Sequence, residues 1–413
     1  MSRPVVITGL GLVTPIGIGT EAVWQRLHEP HSAVRTITRF DPTPFRSHIA
    51  ASIDDFDPVA QLSAKTARRT DRCSQLALVA TDLAIADARL ELAHESADRV
   101  GVMMGTALGG IGFAEEENTK YLQGGLRQVD PLLALTVFGG AVSCNIAITH
   151  NVTGVNSTNA MSCASGTLAI GQAFRAIASG EADVMLAGGS EAPLYPLCYG
   201  AFAMIRAMSS RNDDPATASR PFDQGRDGFV MAEGAAVLVL ESLEHALARE
   251  ATIYAEVAGF GLSNDAHHMT RPLPDGREAA RAMRLALDEA GVTPQAVEWV
   301  NAHGSSTPLN DAVEAAAIRE VFGEHADAML VSGTKGWHGH ALGASGAMET
   351  AIICLAMTRG WVPGSLNCAS PVTEGDLKFV PEVGVTTRPA AVLKNSFGFG
   401  GSNATLLLRQ PSM

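Results

Sequence analysis

Short apolar, β-branched runs alternate with alanine- and leucine-rich stretches along almost the whole chain, and no other feature restricts the fold as strongly. The apolar runs cover residues 4–8, 100–105, 182–187, 235–240, 253–259, 297–301, 330–332 and 404–408. They are short and lack the strict polar alternation of a half-exposed sheet, so they read as buried strands. Helices are predicted over 71–89, 166–179, 277–290 and 346–357, with Gly180 and Gly291 just past two of them as stop signals. Such an alternation specifies an α/β fold.

The pattern also occurs twice. The helix at 71–89 leads into the run at 100–105, as the helix at 277–290 leads into the run that ends at Asn301 and His303. Ala164-Ser165-Gly166 opens one apolar helix, and Ala344-Ser345-Gly346 opens the other. Terminal strands close each half: 235–240 in one, 392–395 and 404–408 in the other. We therefore expect two duplicated α/β halves, residues 1–250 and 251–413, with Arg249-Glu250-Ala251 as a polar bridge between them. Ligand sites in such folds gather between the halves.

Composition narrows the function. Hydrophobic residues make up 46% and charged residues 18%, which excludes a disordered chain. A net charge of −13 repels phosphate backbones, so no nucleic-acid partner is expected. Cys73, Cys144, Cys163, Cys198, Cys354 and Cys368 show no C-x-x-C pair or regular spacing. Neither a disulfide framework nor a metal site is expected, and a reducing compartment is. The apolar part of the N-terminal segment is too short for a signal peptide and no window holds 18 uninterrupted apolar residues, so the expectation is a soluble cytoplasmic protein with no membrane partner.

Four stretches could carry chemistry. Cys163 stands between a polar approach and a long helix, where a helix N-terminus favours thiolate and can hold an oxyanion; a lone cysteine among small residues is usually a packing residue. His303 follows a buried strand in a small-residue turn. Lys335, His338, His340 and Glu349 bracket a glycine-rich helix entry. Each histidine singly is compatible with a satisfied core residue, although the glycines around it let a backbone approach a substrate. Asn395-Ser-Phe-Gly-Phe399-Gly400-Gly-Ser-Asn403 is either a tight turn between strands or a mobile oxyanion loop.

Together these elements resemble the β-ketoacyl-acyl carrier protein synthases of the thiolase superfamily, particularly the elongating fatty-acid synthase II type. The resemblance covers essentially the whole chain: Cys163, His303, Lys335-x4-His340 and Gly398-Phe399-Gly400-Gly401 occur in the family's order and spacing, with supporting stretches at Ser219-Arg-Pro-Phe-Asp223 and Asn264-Asp-Ala-x-His-Met-Thr270. It implies a thiolase-like fold with a layered αβαβα core and a decarboxylative Claisen condensation of an acyl chain on Cys163 with malonyl-acyl carrier protein. It implies no permanently bound cofactor, since substrates arrive on the carrier's phosphopantetheine arm.

The resemblance also implies roles. His303 and His340 would present N–H groups to the malonyl carbonyl, and the N–H groups of Cys163 and Phe399 would hold the second oxyanion. Lys335, paired with Glu349, would orient His340. Ser305 and Thr307 would bond the phosphopantetheine arm, Leu108 would line the acyl tunnel, and Gly400 would contact substrate. Lys65, Arg68, Arg69, Arg127 and Arg206 would form the docking patch for the acidic carrier protein. A homodimer is expected; a heterodimer with a chain-length-factor-like subunit is the variant.

Three departures stand out. Ser305 replaces the threonine of most relatives, Ser162 replaces a common alanine before the nucleophile, and Gly336-Trp337-His338 follow the lysine where smaller side chains are usual. Trp337 and His338 are either part of an altered substrate pocket or packing residues. The alternative functions are a type II polyketide ketosynthase and a non-catalytic chain-length-factor-like partner, the latter disfavoured because Cys163, His303, Lys335 and His340 are all present.

Overall fold

The structure is a computed structural model that describes residues 3–411. Ten strands make up the main path of the large sheet, in chain order β1 (Val5–Thr14), β2 (Val100–Gly105), β3 (Asn156–Asn159), β4 (Val184–Glu191), β5 (Gly234–Ser242), β6 (Ala255–Asn264), β7 (Trp299–Asn301), β8 (Leu330–Ser332), β9 (Ala391–Gly398) and β10 (Ser402–Arg409). In space they run β8-β7-β9-β10-β6-β1-β5-β4-β2-β3. The duplication read from the sequence is visible in this order. In the first five strands β2 lies parallel to β3 and β4, β4 antiparallel to β5, and β5 antiparallel to β1. In the second five, β7 lies parallel to β8 and β9, β9 antiparallel to β10, and β10 antiparallel to β6. The two sets join where Val5 faces Val257 and Ile7 faces Ala255.

Five helices matter for the site: α1 (Arg72–Ala88), α2 (Ser165–Ala178), α3 (Arg277–Ala290), α4 (Pro308–Phe322) and α5 (Ser345–Arg359). α1 packs on β1 and β5, α3 packs on β6 and β10, and α2 and α5 lie between the two strand sets, touching strands of both. This gives the αβαβα layering. The middle helices are apolar nearly all round because both flanks are covered; thirteen consecutive residues of α5, from Ser345 to Met357, are buried. The repeated Ala-Ser-Gly entries have a packing cause. A Cβ at Gly346 would lie 2.1 Å from Thr167 Oγ1, and one at Gly166 would lie 2.8 Å from the Gly343 carbonyl, so the two helix starts touch backbone to backbone.

The predicted helices at 71–89 and 277–290 and the strands at 100–105 and 330–332 fall within a residue of the observed ones. α1 begins where Asp71 accepts the N–H groups of Cys73 and Ser74, and α3 ends at Gly291 with φ +62°. β1 runs on to Thr14, beyond the predicted end, because all ten of its residues are buried. β3 and α4 were not expected: β3 is the polar segment Asn-Ser-Thr-Asn at the sheet margin, and α4 has little amphipathic pattern, although Thr307 capping the Asn310 N–H and Pro308 in the first turn are a start signal. The bridge near 250 is not a loose linker. Arg249 Nε donates to the buried Glu241 at 2.8 Å and its Nη1 donates to the Ala88 carbonyl at 2.8 Å. No helix among the described residues is long and apolar enough to cross a membrane.

Candidate active site

The nucleophile candidate sits on a strained turn. Ser162 has φ +50°, a left-handed conformation unusual for a side-chain-bearing residue, and a single 3₁₀ turn over Ser162–Ala164 leads into α2. The second half repeats this construction: Leu342 has φ +41°, and a 3₁₀ turn over Leu342–Ala344 leads into α5. Aligning the two Ala-Ser-Gly entries places Cys163 opposite Gly343, so one copy of the turn carries a thiol and the other carries no side chain.

Cys163 opens onto a cavity of about 300 Å³ lined also by His303, His340, Ser305, Thr307, Phe229, Phe397, Phe399 and Arg206. The imidazoles of His303 and His340 meet edge to face, their ring centres 5.3 Å apart, and Phe229 packs on His340 at 5.4 Å. Gly398 brings the Phe399 turn against the nucleophile, since a Cβ there would lie 3.2 Å from the Cys163 nitrogen. Gly400, at the tip with φ +85°, does not border the cavity; its N–H donates to the Met269 carbonyl at 2.8 Å.

Each histidine is held by its backbone. The His303 and Gly304 N–H groups donate to the two oxygens of Glu314 on α4, at 2.7 and 2.9 Å, and the His303 carbonyl accepts from Lys335 Nζ. The His340 N–H donates to the Val230 carbonyl at 2.7 Å, and its Nδ1 lies 2.9 Å from the Ser345 hydroxyl, at the start of α5. That hydroxyl has no other acceptor among the described residues; donating to Nδ1 leaves the ring hydrogen on Nε2. Burial, with Lys335 adding its positive charge, keeps both imidazoles well below the usual histidine range, so both are neutral.

Lys335 and Glu349 do not border the cavity; they form the layer behind it. Their ion pair measures 2.6 Å with both side chains fully buried, and Lys394 reaches the other oxygen of Glu349 at 2.9 Å. Burial by itself would raise the Glu349 carboxyl, but the two ammonium groups outweigh it and hold the group ionised below the ordinary range.

The thiol differs from the sequence expectation. Cys163 is 6% exposed, and burial raises its pKa to about 11, against smaller opposing effects from Ser162, Lys335 and the Phe399 N–H. The helix terminus therefore does not produce a resting thiolate; desolvation wins. The value still lies below Cys198 and Cys368, both pushed to about 12.

Trp337 and His338 are placed away from the cavity, which corrects the pocket alternative in favour of packing. Trp337 is fully buried, its Nε1 donates to the Glu29 carbonyl at 3.0 Å, and its own carbonyl accepts the Ala33 N–H at 2.8 Å. His338 is also fully buried and contacts the Thr334 hydroxyl at 3.1 Å. Leu108 is half-buried in an apolar cluster with Cys163 and Leu342, beside rather than on the cavity wall. Its N–H and that of Ala107 donate to buried Glu191, whose carboxyl burial raises to about 7. Ser305 and Thr307 both line the cavity, their hydroxyls 2.8 Å apart. Arg206 stands exposed at the mouth, whereas Lys65, Arg68, Arg69 and Arg127 are exposed elsewhere on the surface and make no ion pair with the described residues.

Glu314, Lys394 and Glu191 were missed by sequence reasoning. A signal existed for two of them: Lys394 interrupts the apolar strand Ala391-Val-Leu393, and Glu314 interrupts an alanine-rich helix. A charge inside an apolar element is buried only when it is paired.

Comparison with known proteins adds the following. The family profiles described as "Beta-ketoacyl synthase, N-terminal domain" and "Beta-ketoacyl synthase, C-terminal domain" match residues 2–246 and 254–369. The chain is 45% identical over 98% of both lengths to 3-oxoacyl-[acyl-carrier-protein] synthase 2 of Coxiella burnetii, and 43% identical to that of Synechocystis sp. over 99% of this chain and 98% of the relative. Among solved structures it is similar to a β-ketoacyl synthase from Burkholderia phymatum, at TM-score 0.91 and 36% identity, and to a ketosynthase in complex with its type II polyketide acyl-carrier protein, at TM-score 0.93 and 34% identity, each covering 100% of both chains.

A thiol raised to about 11 makes a direct prediction. Alkylation of Cys163 by iodoacetamide, followed by peptide mass spectrometry, should keep accelerating beyond pH 10, where an ordinary thiol of pKa about 8.5 has already levelled. Levelling of the rate near pH 9 would refute the desolvated thiol.

Proposed function

Because the chain belongs to the beta-ketoacyl synthase family, we propose that it performs a decarboxylative Claisen condensation in fatty-acid elongation, joining an acyl chain held on Cys163 to malonyl-acyl carrier protein and yielding 3-oxoacyl-acyl carrier protein. The observation that carries this reading is the convergence of one thiol and two neutral imidazoles on a single cavity. In the first stage Cys163 sulfur attacks the incoming thioester; its proton passes to the departing carrier thiol, and the acyl group stays on the enzyme. The raised pKa means that this proton must move as the sulfur attacks.

In the second stage malonyl enters on another carrier. Loss of CO₂ leaves its bonding electrons on the thioester as an enolate, whose oxygen needs donors. Nε2–H of His340, aimed by Ser345, is one, and His303 is the other. The enolate carbon attacks the acyl–Cys163 carbonyl, the Cys163 and Phe399 N–H groups hold the tetrahedral oxyanion, and the thiolate leaves and takes up a proton. Ser305 and Thr307 bond the phosphopantetheine arm, a role supported by their place in the cavity lining. The arm's carrier docks on Lys65, Arg68, Arg69, Arg127 and Arg206, with no permanently bound cofactor. A type II polyketide ketosynthase is the second reading; the higher identity to the elongating synthases ranks it behind.

The working unit is a homodimer. β3 leaves one edge of the sheet unpaired, and Leu135, Phe138, Ile148 and Met161 nearby in sequence are exposed, an arrangement that monomeric proteins avoid.

Three measurements test this reading. His303→Ala and His340→Ala should each still accept an acyl group on Cys163, seen as an intact-mass shift, while malonyl-thioester decarboxylation falls roughly 10²–10³-fold; normal decarboxylation in either variant removes that histidine's role. Reversing charge at Lys65, Arg68 and Arg69 should weaken reaction with the acyl carrier protein thioester, less so as salt rises, and spare small thioester analogues; equal losses with both substrates would point to another docking face. Sedimentation at micromolar concentration should give twice the chain mass, and a monomer would exclude the dimer.

A further inference from the structure

Lys394 belongs to the buried charge set behind the cavity, and neither the sequence reading nor the reaction as derived gives it a role. It lies in β9 opposite Asn301 of β7 and Leu406 of β10, and it is fully buried. A fully buried ammonium is costly unless several groups share it, and this one has partners on three sides. Nζ pairs with Glu349 at 2.9 Å, donates to the Asn395 carbonyl, and reaches Ser396 Oγ at 3.3 Å. Ser396 Oγ in turn lies 2.7 Å from Thr167 Oγ1, in the first turn of α2 after Cys163. In the other direction Glu349 holds Lys335, which holds the His303 carbonyl.

We infer that Lys394 is a positioning residue of the condensing site, the joint through which the histidine side of the cavity, the Phe399 turn and the Cys163 helix keep their relative placement. This rests on the function proposed above. Removing the ammonium would leave Glu349 with one partner and Ser396 with Thr167 alone, and loosen β9 five residues before Phe399, all behind a site whose donors must stay within a fraction of an ångström of the enolate oxygen.

Lys394 also contributes charge. The groups facing His303 are Lys335, Lys394 and His340, with Glu314 on its backbone N–H; those facing His340 are Lys335, Lys394 and His338; Glu349 lies between the lysines, and Cys163 lies across the cavity. A facing cation disfavours imidazolium. Neutralising position 394 therefore raises the histidines' pKa and moves loss of activity on acidification to higher pH.

The test uses the full-length enzyme with Lys394→Met and Lys394→Gln, following malonyl-thioester decarboxylation and Cys163 acylation against pH, with thermal unfolding to confirm that each variant is folded. In Lys394→Met the acid limb of decarboxylation should move to higher pH and kcat should fall roughly tenfold, with acylation nearly unchanged. Lys394→Gln retains a donor for Glu349, so kcat should recover while the acid limb stays displaced. The inference is overturned if both folded variants keep the wild-type limb and kcat, if acylation and decarboxylation fall together with no movement of the limb, or if neither variant folds, which would make the lysine purely structural. Failure of the wild-type enzyme itself to decarboxylate malonyl thioester would instead overturn the proposed function and leave the lysine's placement as a fact of the fold.

Discussion

Two ammonium groups share one carboxylate in the interior, and the geometry of the cavity follows from that arrangement. Lys335 and Lys394 come from different elements, the turn before α5 and strand β9, and Glu349 comes from α5 itself. Because none of the three is accessible to water, each must keep its partners, and removing one from such a set costs about 3–5 kcal/mol. The set therefore acts as a rigid joint. Its outward hydrogen bonds reach the His303 backbone on one side and, through Ser396, the start of the nucleophile helix on the other.

The duplicated architecture explains why the chemistry lies where it does. Each half ends its approach to a central helix with the same strained turn, and the two helices meet at glycines, so both turns arrive at the middle of the molecule. One copy provides Cys163. In the other, the equivalent position is Gly343, whose N–H donates to Glu191, and its turn is preceded by His340. The asymmetry of the proposed reaction, one covalent acceptor facing donors for an enolate, would then be written onto a nearly symmetric frame.

For the thiol and the two imidazoles, protonation follows from burial more than from neighbours. The thiol is raised and the imidazoles are lowered by the same cause, removal of water from the charged form. A site in which every reacting group rests neutral suits a reaction in which negative charge appears twice, first on the enolate and then on the tetrahedral oxygen, because donors that carry no net charge do not bind the resting carboxylate of malonyl so tightly that its loss is impeded.

By itself the sequence determined the α/β alternation and its duplication, because periodicity and caps are local properties that survive without coordinates; the layered core and the grouping of Cys163, His303, Lys335 and His340 came from the resemblance that their order and spacing carry. Tertiary structure decided the rest. Whether Trp337 faced a substrate or the core depended on a carbonyl at Glu29, some three hundred residues away in the chain. Lys394 and Glu314 became part of the site only when β9 and α4 were brought beside β7. The resting thiol was hidden for the same reason: a helix terminus is legible in sequence, but the water excluded around it is a property of all the surrounding elements at once.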